Sequence, residues 1–117
     1  MINPMLVDEQ LRGGVVQGIG AALFEECLYG PDGQLLNGNL ADYLVPMSGE
    51  MPDIVCRHIE TPTRQAQLGA KGVGEAGTAG APAAVMDAIN DALAPLDARV
   101  TAMPFTPERI LKALGKV

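Results

Sequence analysis

Aromatic residues are rare in this sequence, which has no tryptophan and only two phenylalanines and two tyrosines among its 117 residues. A core built from this composition has to be aliphatic and rich in alanine. Hydrophobic residues still make up 48% of the chain, a fraction typical of folded proteins, and the length corresponds to one domain or part of one. The fourteen glycines and nine prolines indicate much irregular backbone.

Basic residues are also scarce, with eight lysines and arginines against fourteen acidic residues and a net charge of −6. They are scattered along the chain, whereas a nucleic-acid-binding surface needs a cluster of them. Long hydrophobic runs are absent too, since none approaches the roughly 20 residues that span a bilayer. The first residues lack the charged-then-apolar pattern of a signal peptide. We therefore expect neither nucleic acid nor a membrane among the partners.

Cysteine and histidine are too few to predict a zinc site. The two cysteines, Cys27 and Cys56, are far apart without a C-x-x-C spacing, and the single histidine is His58. His58 alternates with its neighbours and is interpreted as a half-buried strand residue, so we expect no metal ligation by side chains of this chain. Two cysteines without an evident partner fit a reducing compartment better than a secreted disulfide scaffold, which predicts a cytoplasmic protein.

The most informative stretch is 69–80, in which five glycines surround Lys71 and Glu75. Glycine allows the backbone to approach a ligand closely, so a carboxylate in such a loop is placed to react with a bound molecule. A second interpretation is a flexible connector in which Glu75 complements the positive end of the following helix. Composition alone leaves both interpretations open. It also leaves open whether Lys71 is a solvated loop residue or an anion contact.

Hydrophobic periodicity predicts three helices. Apolar residues recur every four positions over 8–29, although four glycines lie inside this helix and weaken it. Such a helix is reasonable if it is buried and the glycines make room for another backbone or a cofactor. Pro82 near the first position predicts a helix over 82–94, and Thr106 is the expected N-cap of a helix over 107–114.

Extended segments lie between these helices. Residues 53–60 alternate as a strand does, and Pro31-Asp32-Gly33 predicts a turn. Shorter extended segments are expected at 34–39, 43–45 and 99–103. The predicted fold class is therefore α+β, with helices packed on a small mixed sheet, and residues 1–117 are expected to form a single partial domain.

The order of motifs along nearly the whole chain resembles one enzyme family. The chain is similar to the C-terminal portion of the molybdopterin-binding large subunit of the xanthine dehydrogenase and aldehyde oxidoreductase family, which also includes aerobic carbon monoxide dehydrogenase. A single G-x-G motif would be weak evidence, whereas a collinear set is specific. The motifs that carry the resemblance are Ile2-Asn3-Pro4, Gly13 to Gly20, Glu25-Glu26, Asp32-Gly33, Asp42-Tyr43, Pro46, Thr61-Pro62, Gly69 to Thr78 and Pro104 to Arg109.

The resemblance implies a molybdenum ion on a pyranopterin, the molybdopterin cofactor, often as the cytosine dinucleotide form. Members of the family oxidise an aldehyde, an N-heterocycle or carbon monoxide with oxygen from water. They pass the electrons to iron–sulfur clusters and a flavin in other subunits or domains. These partners, together with the remainder of the large subunit, are therefore the expected assembly. Self-association of the isolated chain is also expected.

The resemblance also assigns roles to individual residues. Its Q-G-x-G motif contacts the pyranopterin, and its G-x-G-E motif brings a glutamate against the metal. By this match Glu75 is the general base that takes a proton from the oxygen nucleophile. The residues assigned to the cofactor are Gln17, Gly18, Gly72, Val73 and Gly74.

Two hypotheses of function follow. In the first, the chain is the catalytic-base segment of a molybdenum hydroxylase, is inactive alone, and holds cofactor only in the complete assembly. In the second, it is a non-catalytic structural or interaction module derived from that domain. One glutamine and one glycine loop supply few of the contacts that a large ligand needs, so the isolated chain is not expected to retain cofactor.

Overall fold

The computed structural model describes all 117 residues as three helices joined by long irregular segments. Helix α1 is Pro4–Leu23, α2 is Ala76–Leu93 and α3 is Pro107–Ala113. Three short 3₁₀ turns complete the regular structure, at Ser48–Glu50, Gln67–Gly69 and Ala94–Leu96. None of the helices has both the length and the apolar character needed to cross a membrane.

The predicted α+β fold is wrong, because the chain contains no sheet. Its sole β-type pairing is an isolated bridge between Tyr29 and Leu35. Residues 53–60 are not in a strand; Ile54 O accepts a hydrogen bond from Arg12 Nε (3.2 Å), and His58 pairs with Asp8 on α1. Alternation identifies a segment with two different faces, but a strand also needs a neighbouring strand to pair its backbone.

The shorter extended segments show the same absence of pairing. None of the segments predicted at 34–39, 43–45 and 99–103 forms a strand. The predicted turn at Pro31-Asp32-Gly33 is confirmed, since Gly33 has a φ of 79° and its N–H donates to Gly30 O at 2.9 Å.

Helix α1 begins and ends earlier than its predicted range of 8–29. Asn3 is its N-cap and accepts a hydrogen bond from Leu6 N at 3.2 Å, with Pro4 in the first turn. At the other end, the N–H groups of Phe24 and Glu25 both donate to Gly20 O at 2.9 Å. The helix therefore stops six residues before position 29, where the sequence predicted its end.

Helix α2 also differs from its predicted range, whereas α3 agrees with it. Helix α2 begins at Ala76, so Pro82 lies inside the helix rather than at its start. For α3, Thr106 is the N-cap and its side chain accepts a hydrogen bond from Arg109 N at 3.4 Å. Gly115 has a φ of 63° just beyond the helix, a conformation that glycine adopts without strain.

A small core lies where α2, α3 and the end of α1 meet. Its fully buried members are Ala22, Leu93, Val100 and Phe105. The N–H of Phe105 donates to the carbonyl of Ala22 at 2.6 Å, which fixes the C-terminal segment against α1. The aliphatic, alanine-containing core expected from composition is confirmed, with Phe105 as its one aromatic member. Around it pack Leu23, Val85, Met86, Ile89, Ala98, Ile110, Ala113 and Leu114.

Candidate functional site

Glycines let α1 and α2 contact each other through their backbones. A Cβ placed on Gly77 would lie 2.6 Å from Leu11 O and 2.7 Å from Val15 N. A Cβ on Gly18 would lie 2.6 Å from Ala81 Cβ. Such distances leave no room for a side chain, so these glycines are required by the helix crossing. Of the two alternatives for the glycines in the first helix, Gly18 faces helix α2, with the side chains of Ala81 and Pro82 nearest and the Thr78 carbonyl at 3.2 Å.

The crossing brings Gln17 to the first turn of α2. Thr78, in that turn, donates its hydroxyl to the carbonyl of Gly14 at 3.0 Å. The same hydroxyl oxygen lies 3.5 Å from Gln17 Oε1. Glu75 is the N-cap of α2 and therefore lies one helical turn before Thr78. The two motifs that the sequence assigns to one site are thus adjacent in space, although they are far apart in the chain.

Glu75 is exposed at the N-terminus of α2, and its side chain makes no capping hydrogen bond. The positive end of a helix favours a nearby negative charge, and the Glu75 side chain is not used to cap the helix. The preceding residue, Gly74, is held against α1 because its carbonyl accepts a hydrogen bond from Gln10 Nε2 at 3.2 Å. The carboxylate therefore extends from a backbone that is fixed on both sides.

The glycines before Glu75 have surroundings unlike those at the helix crossing. A Cβ on Gly72 would meet nothing within 4 Å, and one on Gly74 would meet only Gln10 Nε2 at 3.9 Å. Both residues are exposed. The backbone of this loop therefore faces open space, and a ligand can lie directly against it.

A groove of about 830 Å³ runs along this loop. Its walls are the start of α1, residues 58–62 and residues 68–74, with both apolar and polar side chains. The volume is in the usual range for a small-molecule site. Of the predicted site residues, Gly72, Val73 and Gly74 line the groove, whereas Glu75, Gln17 and Gly18 do not.

The side chains of Lys71 and His58 line the same groove and are already paired. The ammonium group of Lys71 donates to the hydroxyl of Thr61, and His58 Nε2 lies 2.5 Å from Asp8 Oδ1. The His58 pair joins an extended segment to α1, which accounts for this histidine without catalysis. Across the whole chain, no three His, Cys, Asp or Glu side chains are grouped closely enough to hold a metal ion.

Other motif residues stabilise the fold at a distance from the groove. Tyr43 donates its hydroxyl to Glu25 Oε2 at 2.7 Å, and this bond, with partial burial, raises the pKa of Tyr43 to about 12. Glu26 forms an ion pair with Arg109, whose guanidinium also donates to the carbonyl of Pro104 at 2.9 Å. These contacts connect the Glu25-Glu26 motif to the C-terminal motif, Pro104 to Arg109. Both motifs belong to the family resemblance, which assigns no role to either of them.

Two residues near the site were not predicted from the sequence. Gln10 supports the loop, and its position seven residues before Gln17 places both on one face of α1. Thr78 contacts Gln17 and would have been found if α2 had been predicted to begin at residue 76. Helical spacing from Gln17 would therefore have identified Gln10, and a correct prediction of where α2 begins would have identified Thr78.

Comparison with known proteins finds relatives that align with nearly the whole chain. Residues 1–52 match the model of a molybdopterin cofactor-binding domain. The nicotine 6-hydroxylase large subunit of Paenarthrobacter nicotinovorans is 46% identical over 97% of this chain, and the carbon monoxide dehydrogenase large chain of Hydrogenophaga pseudoflava is 34% identical over 97%. The chain spans 14% of the length of each.

A solved structure adds evidence for the fold. Quinoline 2-oxidoreductase from Pseudomonas putida 86 is 48% identical and superposes with a TM-score of 0.94 over 99% of this chain, which corresponds to 15% of that protein's chain. Xanthine dehydrogenase molybdenum-binding subunits also align with nearly the whole sequence. The chain therefore belongs to the family of molybdenum-binding large subunits that includes xanthine dehydrogenase and carbon monoxide dehydrogenase, and it corresponds to a small part of such a subunit.

Proposed function

We propose that this chain is the C-terminal cofactor-binding segment of a molybdenum hydroxylase large subunit, with Glu75 as the general base. The observation that carries the proposal is the α1–α2 crossing, which sets Gln17 against the first turn of α2, the helix for which Glu75 is the N-cap. The cofactor-binding residues of the proposal are Gln17, Gly18, Gly72, Val73 and Gly74.

The residues present suit a pyranopterin. The open backbone of Gly72 and Gly74 permits close contact with a flat ligand. The planar amide of Gln17 offers both a donor and an acceptor, which suits the mixed hydrogen-bonding edge of a pterin. When bound, the molybdenum cofactor supplies the two-electron oxidant of the reaction. For Gly18, whose Cα faces Ala81, any cofactor contact is limited to its backbone, and this assignment stays a prediction.

Glu75 performs the proton transfer in this proposal. Its carboxylate has no hydrogen-bond partner at the end of α2, so it is available to take a proton from the oxygen nucleophile as that oxygen attacks the substrate carbon. Exclusion of water has to come from the remaining segments of the large subunit, because Glu75 is exposed in this chain.

An N-heterocycle is the substrate class that we favour over an aldehyde or carbon monoxide. The relatives named for nicotine and quinoline chemistry are 46% and 48% identical to this chain, whereas the carbon monoxide dehydrogenase large chains are 33–34% identical. Nicotine and quinoline both contain a ring nitrogen, and a ring carbon next to such a nitrogen is electron-poor and open to attack by an oxygen nucleophile.

The proposed assembly contains the remainder of the large subunit and iron–sulfur and flavin subunits or domains, with the cofactor in its cytosine dinucleotide form. Two carbon monoxide dehydrogenase large chains and one relative named as a subunit of a dehydrogenase complex support a multi-subunit enzyme. Alone, the chain is inactive. A cytoplasmic location is supported by Cys27 and Cys56, which are both free thiols.

The test is the variant Glu75→Gln in the assembled enzyme, with molybdenum content and turnover measured on the same preparation. The amide keeps the shape of the side chain but cannot accept a proton, so turnover per bound molybdenum should fall by roughly 10²–10⁴-fold. Molybdenum content should stay at the wild-type level. The matched control is Asp87→Asn, which makes the same change at an exposed position on the same helix and should leave both quantities unaltered. Near-normal turnover per molybdenum in Glu75→Gln would contradict the proposal.

A further inference from the structure

Residues 53–60 have a backbone that pairs with no other backbone of this chain. None of the backbone–backbone hydrogen bonds involves these residues. The one group that another element engages is the carbonyl of Ile54, which accepts from Arg12 Nε at 3.2 Å. Unpaired N–H and C=O groups along an exposed segment are a template on which another extended chain can pair. The segment therefore presents a row of free donors and acceptors.

Contacts with α1 show that this segment is extended. Besides the carbonyl of Ile54, Cys56 Sγ lies 3.7 Å from Asp8 O, and His58 Nε2 lies 2.5 Å from Asp8 Oδ1. Every second residue from 54 to 58 thus meets the same helix, which is the period of an extended chain. In such a chain both backbone groups of one residue point to one edge, and those of the next residue point to the other edge. Because Arg12 occupies the even-numbered edge, the odd-numbered edge is the free one.

The side chains of the odd-numbered residues form an outward row that nothing in this chain covers. Val55 and Ile59 are exposed to 74% and 94%, and both are β-branched residues that suit a strand. Arg57 lies between them, is exposed, and takes part in none of the ion pairs of the chain. Neighbouring strands are stabilised by apolar pairs and by opposite charges. The row is therefore complementary to apolar side chains on either side of a carboxylate.

The remainder of the large subunit is the partner that suits this edge. The chain aligns over 97% of its length with two large subunits and spans 14% of each. Most of such a subunit consequently lies outside these residues and belongs to the same polypeptide. A tethered segment is present at a high effective concentration, whereas a second copy of this chain or another subunit has to be recruited from solution.

We propose that an extended segment from the remainder of the large subunit pairs as a β-strand with the free edge of residues 53–60. Its main-chain hydrogen bonds are made with Val55, Arg57 and Ile59, and its side chains cover the outward row with a carboxylate next to Arg57. The inference rests on membership of the family and not on the role proposed for Glu75, so either can fail without the other.

Amide hydrogen exchange in the assembled enzyme, resolved to single residues by mass spectrometry, tests the pairing directly. The amides of Val55, Arg57 and Ile59 should exchange at least about 100-fold more slowly than in an unfolded peptide, because a paired amide exchanges only when its hydrogen bond opens. The amides of Cys56 and His58, on the other edge, should exchange faster than those of their neighbours. Unprotected amides on the odd-numbered edge, or equal protection on both edges, would overturn the inference.

Proline variants test the same edge without exchange measurements. Proline cannot donate to a neighbouring strand and is tolerated only where its position faces away from one. Relative to Arg57→Ala, Arg57→Pro should shorten the half-life of the assembled enzyme at a fixed temperature by at least about 10-fold, or prevent assembly. The matched control is Cys56→Pro against Cys56→Ala, which should differ by less than about 3-fold. A loss at position 57 no larger than at position 56 would refute the pairing.

A photo-reactive amino acid in place of Ile59 identifies the partner in the assembled enzyme. Cross-linked peptides should come from the same large subunit and from outside the 117 residues of this chain. Cross-links to a second copy of residues 53–60, or to another subunit, would overturn the choice of partner. The absence of any cross-link would show that the outward row stays in solvent, and the inference would then fail.

Discussion

Single glycines in this chain serve two separable purposes. Gly14, Gly18 and Gly77 bring two helices into backbone contact, whereas Gly72 and Gly74 leave a loop open to a ligand. The sequence alone does not distinguish the two groups of glycines. Their neighbours distinguish them, because a Cβ would lie 2.6–3.2 Å from atoms of the facing helix at the first group and meet almost nothing at the second.

This division predicts opposite effects of one substitution on α2. Gly77→Ala would set a Cβ against Leu11 O and Val15 N, so it should lower the free energy of unfolding by about 1–3 kcal/mol. Gly80→Ala, three residues later on the same helix, meets nothing within 4 Å and should raise stability by up to about 1 kcal/mol. Urea unfolding followed by far-ultraviolet circular dichroism would measure both. Equal effects of the two variants would show that the backbone contact does not exist.

The Tyr43–Glu25 hydrogen bond predicts a pH effect at alkaline pH. Because folding raises the pKa of Tyr43 to about 12, the bond contributes stability below pH about 10, the usual tyrosine pKa. That contribution is lost as the pH rises toward about 12. The chain has no tryptophan and two tyrosines, so phenolate absorbance follows the titration directly. Tyr43→Phe should remove the titration step near pH 12, whereas Tyr29→Phe should retain it. A step near pH 12 that persists in Tyr43→Phe would contradict the assignment of that step to Tyr43.

At the scale of elements, one side chain joins α2 to the segment that leads to α3. Asn90 donates to the carbonyl of Val100 and accepts from its N–H, both at 2.9 Å. Val100 is buried in the core, so its backbone groups have no access to water if the amide is removed. The orientation of the segment 98–105 therefore depends on a side chain rather than on a sheet.

Asn90→Leu should consequently be strongly destabilising. It leaves a buried donor and a buried acceptor unpaired, each costing about 1–3 kcal/mol, and the expected loss of stability is roughly 2–6 kcal/mol. Asp91→Leu, at the exposed neighbouring position, is the control and should change the unfolding free energy by less than about 0.5 kcal/mol. Thermal unfolding of the two variants under the same conditions tests this. If Asn90→Leu loses no more stability than the Asp91→Leu control, Asn90 does not hold the Val100 segment as inferred.

The molecule as a whole is less compact than an independent domain of its length. Its radius of gyration is 17.9 Å, against about 13 Å for a compact domain of this length. Only 11 of its 117 residues are buried. Several large apolar side chains are instead exposed, including Val55, Ile59 and Leu68 at 74%, 94% and 87%, and apolar surface of this extent is typical of an interface.

The isolated chain should therefore self-associate and hold no molybdenum cofactor. Light scattering should give a mass above 12.2 kDa, and elemental analysis should find molybdenum far below one atom per chain, because one open groove buries too little of a large ligand. Co-expression with the remaining large-subunit segments should suppress the self-association and allow cofactor binding. A monomer of the isolated chain with stoichiometric molybdenum would contradict both expectations.

Features that depend only on neighbours in the chain could be predicted from local patterns. Helix α3 was predicted correctly because Thr106, Pro107 and Gly115 act locally, and the turn around Gly33 likewise needs only its own residues. The family was recognisable because its motifs are collinear. The early start of α1 was also within reach, since Asn3-Pro4 is itself a cap followed by a first-turn proline.

Tertiary structure decided the rest. Helix α2 begins six residues before Pro82, because the packing of Gly77 on α1 offsets the poor helix propensity of its glycines. Residues 53–60 lie along α1 and have no strand beside them, although their alternation is that of a strand. The meeting of Gln17 with the turn after Glu75 depends on the same helix crossing. In each case the deciding contact joins residues distant in sequence, and local patterns carry no information about which distant surfaces meet.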